Sequence, residues 1–255
     1  MNVVVTNNFS QYSDHISGIL KSFSEGGTLI GSGSRNVVKV FGINGQNFNF
    51  KSFKQHNIIN RHIYKFYRKS KARRSFEYAQ MLLDKKFHTP KPVAYIEYHD
   101  FVGLTSSFYI SEQLEDVNTL WDVFYNPAFE DREEIIRLYT RLMFQLHENG
   151  IEFIDNSPGN FLVRKENGSY VLYMVDLNRM KFHSLMSPER RLRNFERITD
   201  NTEIISIISE HYGLLSGLSA SYCFRKISGY AKSKKTRLKI KKILKFYKFF
   251  LPLKR

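Results

Sequence analysis

Cysteine is nearly absent from this sequence of 255 residues, and long apolar runs are missing altogether. The single cysteine, Cys223, excludes an internal disulfide and any zinc site that is built from several cysteines. No apolar run approaches the roughly 18 residues that a membrane-spanning helix requires. Residues 1–14 lack the basic region and the long apolar stretch of a secretory signal. We therefore expect a soluble intracellular protein.

Acidic residues are missing from two segments that hold much of the positive charge. The chain has 39 Lys and Arg residues against 24 Asp and Glu residues, a formal charge of +15. Residues 51–74 hold nine basic side chains and residues 232–255 hold 11, and neither segment has an acid. Without these two segments the chain is net acidic. The pattern predicts a globular domain with two cationic segments, which point to a nucleotide, a nucleic acid or an anionic membrane.

The second cationic segment, which we call the tail (residues 231–255), alternates its charges with apolar residues. Apolar side chains recur at helical spacing, while lysines line another side. The apolar set is Ile240, Ile243, Leu244, Tyr247 and Leu251, widened by Phe246, Phe249 and Phe250. A basic amphipathic helix that is rich in phenylalanine favours a membrane surface. A helix packed on its own domain and a site for nucleic-acid phosphates are the two alternatives.

Hydrophobic periodicity predicts a small β-rich half followed by a larger helical half. Asn-Gly pairs at 44–45 and 167–168 favour tight hairpin turns, because both residue types tolerate positive φ. The predicted strands are a meander over residues 27–53 and the segments 93–98, 108–113, 161–163 and 170–175, and the clearest predicted helices are 57–86 and 133–148. The fold class is therefore α+β.

Three oxygen-bearing side chains stand around the second predicted hairpin. Asp155 lies five positions before Asn160, which precedes the hairpin, and Asp176 follows its second strand. Because the two strands of a hairpin are neighbours, the end of the second returns beside the start of the first. We therefore expect Asn160 and Asp176 to lie close together with Asp155 nearby. Hard oxygen ligands of this kind suit Mg²⁺, which prefers one or two carboxylates with phosphate oxygens and water.

This pattern resembles the protein-kinase-like fold. In that fold an Asp five residues before an Asn orients the acceptor hydroxyl and takes its proton. The Asn and a later Asp hold the metal ion on the nucleotide phosphates. The resemblance implies that Asp155 is the catalytic base, that Asn160 and Asp176 are metal ligands, and that ATP and Mg²⁺ are the cofactors.

The N-terminal half contains candidates for the other parts of that fold. Gly31 and Gly33 supply a glycine-rich turn that can approach phosphate. Lys51 follows on a predicted strand, with Lys39 and Lys54 as rivals for its role. Glu77 is the single acid between residues 51 and 80, so it is the expected partner of Lys51.

The segment at the end of the strand predicted over residues 108–113 is the expected connection between the two halves. Gln113 and Leu114 lie there, and the resemblance implies that adenine docks against them. The domains predicted in this way are an N-terminal lobe (residues 1–114), a C-terminal catalytic lobe (residues 115–230) and the tail.

More narrowly, the chain is similar to the lipopolysaccharide core kinases of the Kdo kinase/WaaP type over about residues 25–185. The similarity lies in three motifs: FIDNSPGN at 153–160, VDLNR at 175–179 and TPKPVA at 89–94. It implies transfer of the γ-phosphoryl group of ATP to a sugar hydroxyl, of Kdo or heptose, in lipid A–core. It also implies a cytoplasmic protein, peripheral at the cytoplasmic face of the inner membrane, where the tail would meet anionic lipid. No nucleic acid is expected as a partner.

Two departures from protein kinases bear on the substrate. Phe153 and Ile154 stand where a His-Arg pair precedes the catalytic Asp, which disfavours a protein acceptor. Asp176 is followed by Leu-Asn in place of Phe-Gly, so an activation-loop switch is not expected. The alternatives are a kinase for another small molecule or a protein, and a membrane-associated pseudokinase that serves as an adaptor.

Overall fold

The computed structural model describes residues 1–31, 36–53 and 68–250, without the side chains of residues 245–250. The chain divides into two units. The first unit contains Met1–Val117 and Tyr173–Arg179, and the second contains Asn118–Leu172 and Met180–Arg255. The short segment 173–179 therefore belongs with the N-terminal part of the chain, although 55 residues of the second unit precede it.

The first unit is built on a six-stranded sheet. Its strands are β1 (Asn2–Val5), β2 (Thr28–Ile30), β3 (Asn36–Ile43), β4 (Gln46–Phe53), β5 (Pro92–His99) and β6 (Leu104–Glu112). They lie in the order β1-β5-β6-β4-β3-β2, and the neighbouring strands are antiparallel. Asn44 and Gly45 join β3 to β4 with φ angles of 51° and 79°. This confirms the first predicted hairpin.

The two faces of this sheet carry different layers because side chains alternate along β4. Phe48 and Phe50 point into a core that includes Phe9 and Ile16, the latter from helix α1 (Ser13–Lys21). Phe53 points to the other face, where it packs with Ala72, Phe76 and Tyr95. Lys51, two residues before Phe53, lies on this second face.

Helix α2 (Lys71–Asp84) covers the second face of the sheet. It begins after Ser70, whose side chain accepts a hydrogen bond from the Arg73 backbone N–H at 3.0 Å. Such a cap satisfies one of the free N–H groups of the first turn. The predicted helix over 57–86 is thus confirmed from residue 71 to residue 84, while its part from 57 to 67 lies outside the described residues.

The second unit combines helices with short strands. The helices are α3 (Leu120–Tyr125), α4 (Arg132–Glu148), α5 (Pro188–Arg193), α6 (Thr202–Ser216) and α7 (Ala220–Phe250). The strands are β7 (Asn118–Thr119), β8 (Ile151–Phe153), β9 (Phe161–Glu166), β10 (Ser169–Met174) and β11 (Met180–Phe182). Helix α4 confirms the helix predicted over 133–148, and the turn at Asn167 and Gly168 confirms the second hairpin. The sequence analysis did not find β7, β8 or β11.

Aromatic rings fill the core of the second unit. Tyr139 on α4 is fully buried and makes edge contacts with Phe124, Phe161 and Phe195, at centroid separations of 6.2, 5.0 and 6.1 Å. Edge-to-face pairs of this kind add to the stability that ring burial provides. The core therefore joins α4 to α3, to β9 and to the segment after α5.

Helix α7 continues into the tail. Three ion pairs fasten its middle to the rest of the second unit: Lys234 and Arg237 both meet Glu196, and Lys235 meets Asp200. Beyond these pairs, Leu238, Ile240, Ile243 and Leu244 are 50–60% exposed. Among the residues that the structure describes, no helix combines the length and the apolar character that a bilayer crossing requires.

Gly150 follows the C-terminal end of α4 in a backbone conformation that requires a residue without a side chain. Its φ is +68°, and a Cβ built there would lie 2.0 Å from the backbone oxygen of His183. The same two residues share a hydrogen bond of 2.8 Å, from the His183 N–H to the Gly150 oxygen. The chain that leads from α4 into β8 is thereby held against the chain that leaves β11.

We expect Gly150→Ala to destabilise the protein by about 3 kcal/mol or more, because the new Cβ strains the backbone and clashes with another backbone segment. Gly168→Ala is the matched control. Its φ is +81°, but a Cβ there meets nothing within 4 Å, so only the conformational cost of about 1 kcal/mol applies. Urea unfolding measures both losses, and equal losses would contradict the close approach at His183.

Candidate active site

An ion pair joins Lys51 on β4 to Asp176 in the first unit. The lysine Nζ lies 2.5 Å from Asp176 Oδ1, with side chains that are 15% and 31% exposed. The partners are 125 residues apart in sequence. The sheet thus presents an ammonium group at a carboxylate that stays partly open to solvent.

Asp176 adopts an unusual backbone conformation. Its φ is +59°, a left-handed value that costs an L residue about 1–2 kcal/mol. Asn178 donates a hydrogen bond from Nδ2 to Asp176 Oδ1 at 2.6 Å. The Asn178 side chain is buried, and it braces the carboxylate within its own loop.

Two further contacts hold the segment around Asp176 in the first unit. Arg74 on α2 is buried and donates from Nη1 to the backbone oxygen of Asn178 at 2.7 Å. Thr89 donates from its hydroxyl to the backbone oxygen of Met174 at 2.7 Å. Helix α2 and the segment before β5 therefore fix the backbone on both sides of Asp176.

The structure separates Lys51 from one of its two rivals, Lys39. The Lys39 Nζ donates to the backbone oxygens of Phe23, Ser24 and Gly26, at 2.8, 3.0 and 2.7 Å. Three carbonyl acceptors make Lys39 a structural residue that holds the chain after α1. Lys54 lies outside the described residues.

The expected pair between Lys51 and Glu77 is wrong in this structure. Glu77 binds Lys69 at 2.7 Å and Arg73 at 2.9 Å, while Lys51 binds Asp176. Burial acts to raise the pKa of Glu77, but hydrogen bonds from Lys69 and Arg73 lower it overall. The sequence argument failed because it looked for the nearest acid and did not count Arg73, one helical turn away on α2, or Lys69 just before that helix.

Other cations of the first basic segment lie at this site, and the sequence analysis did not single them out. Lys51 Nζ and Lys71 Nζ lie 5.5 and 5.9 Å from the centroid of the same ring, Phe53. Burial and the charge of Arg74 lower the pKa of Lys71, while the charge of Asp176 acts in the opposite direction. The signal for these residues was the acid-free run of residues 51–74.

The predicted glycine turn is described in part, and the predicted adenine segment forms hydrogen bonds within the first unit. Gly31 has a φ of +75° and room around its Cα, whereas Gly33 lies outside the described residues. Gln113 follows β6 directly and uses its backbone N–H to bind the Asn47 oxygen at 3.0 Å. Its side chain donates to the Leu114 oxygen at 2.9 Å. These two backbone groups are therefore engaged within the first unit.

Asp155 and Asn160 come together in the second unit. The 3-10 turn Pro158–Asn160 folds the chain back, so that Asn160 Nδ2 donates to the Asp155 backbone oxygen at 2.8 Å. The amide nitrogen faces Asp155, which leaves the Asn160 carbonyl oxygen as the atom for a cation. The sequence analysis also predicts that these two residues lie close to Asp176. Because Asp176 belongs to the first unit, this proximity stays a prediction.

Arg197 is a site residue that the sequence analysis missed. Its Nη1 lies 3.1 Å from Asp155 Oδ1, and the Asp155 side chain is 12% exposed. An arginine beside a nearly buried carboxylate compensates the cost of its burial and limits its orientations. No sequence signal marks Arg197, which stands 42 residues after Asp155 among several other arginines.

A buried hydrogen-bond network supports the chain around Asp155. Asn194 donates from Nδ2 to the Phe153 oxygen at 2.7 Å and accepts Asn156 Nδ2 on its own backbone oxygen at 2.8 Å. Asn156 in turn accepts from the Tyr139 hydroxyl at 2.8 Å. The residues on both sides of Asp155 are thus fixed by side chains from α4 and from the segment after α5.

His147 extends the network and is a structural residue. Its Nδ1 lies 2.8 Å from the Tyr212 hydroxyl and its Nε2 lies 3.2 Å from Asn194 Oδ1. Burial lowers the pKa of His147 to about 3, against an ordinary value of 6.5. The imidazole is therefore neutral in the folded protein at physiological pH.

The donor set fits a nucleotide with a hard divalent cation. In the first unit, Asp176 offers a carboxylate with the positive charges of Lys51 and Lys71 near it. In the second unit, taken by itself, Asn160 offers a carbonyl oxygen. Within the described ranges, no group of three or more His, Cys, Asp or Glu side chains could hold a metal ion.

Comparison with known proteins identifies relatives of this chain. The sequence profile of the Lipopolysaccharide kinase (Kdo/WaaP) family matches residues 29–212, and no curated protein matches the chain. A solved structure of WaaP in complex with acyl carrier protein matches with a TM-score of 0.63 at 14% identity, over 93% of this chain and 98% of that one. The Rio2 kinase-ADP/Mg²⁺-phosphoaspartate complex from Chaetomium thermophilum matches with a TM-score of 0.49 at 12% identity, over 92% and 78%. The WaaP match confirms the predicted protein-kinase-like fold.

We expect the stability of the protein to fall as the pH drops below 6.5, in part because of His147. Between the ordinary pKa of 6.5 and the folded value of about 3, the unfolded chain binds a proton that the folded chain does not. Each pH unit in this window therefore costs about 1.4 kcal/mol from this residue. Urea unfolding between about pH 7 and about pH 5 measures the slope.

His147→Gln should reduce that slope by the amount that corresponds to nearly one proton, about 1.4 kcal/mol per pH unit. This holds whatever the effect of the substitution on the stability at neutral pH. The exposed His15→Gln is the control and should leave the slope as it is in the unmodified chain. An unchanged slope in His147→Gln would show that this histidine does not fold in its neutral form.

Proposed function

The chain belongs to the Lipopolysaccharide kinase (Kdo/WaaP) family and is a kinase that acts on the lipopolysaccharide core; on this premise we propose which residues carry the reaction and where it occurs. ATP is the phosphoryl donor, and a hydroxyl of Kdo or heptose in lipid A–core is the acceptor. The bond between the γ-phosphorus and the oxygen that bridges the β- and γ-phosphates of ATP breaks, so that this oxygen leaves with ADP. A bond from the sugar oxygen to the γ-phosphorus forms.

Asp155 is the proposed catalytic base. Its carboxylate orients the sugar hydroxyl and takes its proton as the new bond forms. The support is the ion pair with Arg197 at 3.1 Å together with the hydrogen-bond network around residues 153 and 156. Both limit the orientations of a side chain that must meet one oxygen atom.

Lys51 and Asp176 form the proposed phosphate site, and their 2.5 Å pair is the observation that carries the proposal. The two residues are 125 positions apart in sequence. The sequence motifs point to Lys51 as the strand lysine of the fold and to Asp176 as a metal-binding aspartate. Bound Mg²⁺ would neutralise phosphate charge, and Asp176 and Asn160 would hold it. Lys51 would offset the remaining charge of the α- and β-phosphates.

The remaining predicted residues have supporting roles in the proposal. Gly31 would approach the phosphates, with Gly33 lying outside the described residues, and Gln113 and Leu114 would border the adenine. Glu77 has no direct role in this arrangement, because its charge is shared between Lys69 and Arg73. Arg74 replaces it as the residue of α2 that fixes the Asp176 segment.

We expect Asp155→Asn to lower turnover by about a thousandfold while ATP affinity stays within a few-fold, because the base acts only in the chemical step. Asp176→Asn should instead lose the Mg²⁺-dependent part of nucleotide binding. Asp84→Asn, an exposed change on α2, is the matched control. Transfer of labelled γ-phosphate to purified lipid A–core measures turnover, and thermal shift with Mg-ATP measures binding.

The same assay tests the alternatives. Phosphate on a generic protein or a small aminoalcohol, with none on lipid A–core, would replace the glycolipid as the acceptor. Nucleotide binding without turnover on any acceptor would favour a pseudokinase. Full activity in Asp155→Asn would remove that residue from its proposed role.

The tail is proposed to rest on the anionic cytoplasmic face of the inner membrane. Leu238, Ile240, Ile243 and Leu244 are exposed, which argues against a helix packed on its own domain in that part of the tail. Lys239, Lys241 and Lys242 form no ion pair with the part of the chain that the structure describes. Exposed apolar residues beside unpaired lysines suit a headgroup region.

We expect the chain to bind vesicles that contain anionic lipid and to leave neutral vesicles unbound, with affinity falling as salt rises. Ile243→Ser with Leu244→Ser should weaken binding several-fold through lost apolar burial. Leu214→Ser, which changes a leucine on α6 that is 79% exposed, is the control. Co-sedimentation measures the bound fraction, and undiminished binding of the double variant would contradict the proposal.

A further inference from the structure

Two aromatic rings of the second unit lie on the surface next to each other. Trp121 and Tyr125, one helical turn apart on α3, are 55% and 44% exposed. Their ring centroids are 4.4 Å apart with an interplanar angle of 41°. With Asn118, Asp122, Asn126 and Phe129 they line an open depression of about 420 Å³. We call this surface the aromatic platform.

The platform is rigid, although the helix that carries it has only six residues. Thr119 and Asp122 cap its start reciprocally. At its end, Arg132 donates to the backbone oxygens of Val123 and Phe124, at 3.1 and 3.2 Å. Leu120, Val123 and Phe124 are fully buried on the other side of the helix. The rings are therefore presented by a fixed backbone, so a ligand would not have to order it.

The polar groups of the platform offer both donors and acceptors. Hydrogen bonds from the backbone N–H and the hydroxyl of Thr119 keep the pKa of Asp122 low, so this residue is an anionic acceptor. The Asn118 amide has no hydrogen-bond partner within the described residues. Asn126 accepts from the Ala128 N–H through Oδ1, so its NH₂ group remains a donor.

The charge of the platform separates it from the phosphate site. None of its six lining residues is basic, in a chain with a formal charge of +15. A surface with one carboxylate and no cation would repel a phosphate group. Rings with amides around them instead match a pyranose, whose C–H face packs on aromatic surface while its hydroxyls exchange hydrogen bonds.

The platform also adjoins the chain segment that carries Asn160. Helix α3 contacts the 3-10 turn Pro158–Asn160. Just before α3, β7 pairs with β9, so that Asn118 stands opposite Val163 and Thr119 opposite Leu162. Both connections lie within the second unit. A sugar held on the platform would therefore be bound by the same unit that carries the proposed base.

The geometry points to the aromatic platform as the binding subsite for an uncharged sugar of the acceptor oligosaccharide, next to the sugar that is phosphorylated. This inference rests on the proposed function, because it names the part of the acceptor that the enzyme grips. Trp121 would pack against the ring, and Asn118, Asp122 and Asn126 would bind its hydroxyls. The subsite would raise the affinity for the glycan without taking part in the chemical step.

Trp121 is the one tryptophan of the chain, so its fluorescence reports on the platform alone. The full chain, in its unmodified and its Asp155→Asn form, would be titrated with deacylated lipid A–core oligosaccharide. We expect a saturable change of tryptophan emission in both forms. Free heptose at high concentration should compete, and Mg-ATP alone should leave the emission unchanged. A response to Mg-ATP with none to the oligosaccharide would assign the platform to the nucleotide and overturn the inference.

Kinetics give the second test. Trp121→Ala should raise the KM for the core glycolipid by about tenfold, with kcat and the KM for ATP within about twofold. Trp121→Phe should recover most of the affinity, because it restores a ring. Asn118→Ala should raise the same KM by a few-fold. Phe101→Ala, which removes a 90% exposed ring on the β5–β6 turn, is the control and should change none of the constants.

The two hypotheses fail in different ways. If the unmodified chain phosphorylates lipid A–core and Trp121→Ala does so with an unchanged KM, the subsite is wrong and the proposed function stands. If no core glycolipid is phosphorylated but the oligosaccharide still changes the emission, the subsite stands and the proposed reaction is wrong. Thermal unfolding of Trp121→Ala verifies that an altered KM does not come from a misfolded protein.

Discussion

The ion pair between Lys51 and Asp176 is the contact on which the first unit depends. A lysine on a sheet and an aspartate 125 residues later can meet only if the segment 173–179 returns to that sheet. Charges that are largely withdrawn from water require a well-formed partner. The structure provides it through the shared Oδ1 atom, which also accepts from Asn178. Arg74 and Thr89 then hold the backbone on either side.

This arrangement gives helix α2 a role different from the expected one. The helix does not offer Glu77 to Lys51; it offers Arg74 to the loop that contains Asp176. The acid is used for an ion-pair cluster at the start of its own helix, with Arg73 on that helix and Lys69 just before it. In place of the glutamate, the aspartate itself holds the lysine. Nucleotide phosphates would therefore have to share Lys51 with Asp176, and the nearby Lys71 adds positive charge for that purpose.

The second unit positions its aspartate by different physical means. Around Asp155 the supporting groups are neutral: a tyrosine, two asparagines and a histidine whose low pKa keeps it uncharged. Neutral groups with paired hydrogen bonds can be buried at little cost, whereas an unpaired charge cannot. Arg197, near the surface, places a positive charge beside Asp155. A fixed backbone with a cation beside the carboxylate suits a group that must accept and release a proton.

The sequence by itself determined the local structure and the order of the motifs. Strand alternation in β4, the Asn-Gly turns and the apolar spacing of α4 depend on neighbours within a few residues, so they can be deduced from the chain alone. The motif order pointed to Lys51, Asp155, Asn160 and Asp176 and to the family. Only the tertiary structure decided the partners: Asp176 for Lys51, Arg197 for Asp155 and Lys69 for Glu77. Ion pairs form between any opposite charges that the fold brings together, and a chain with 39 basic residues leaves each acid with many possible partners. The aromatic platform has the same origin, since whether Trp121 and Tyr125 are buried or exposed depends on which side of α3 packs against the core.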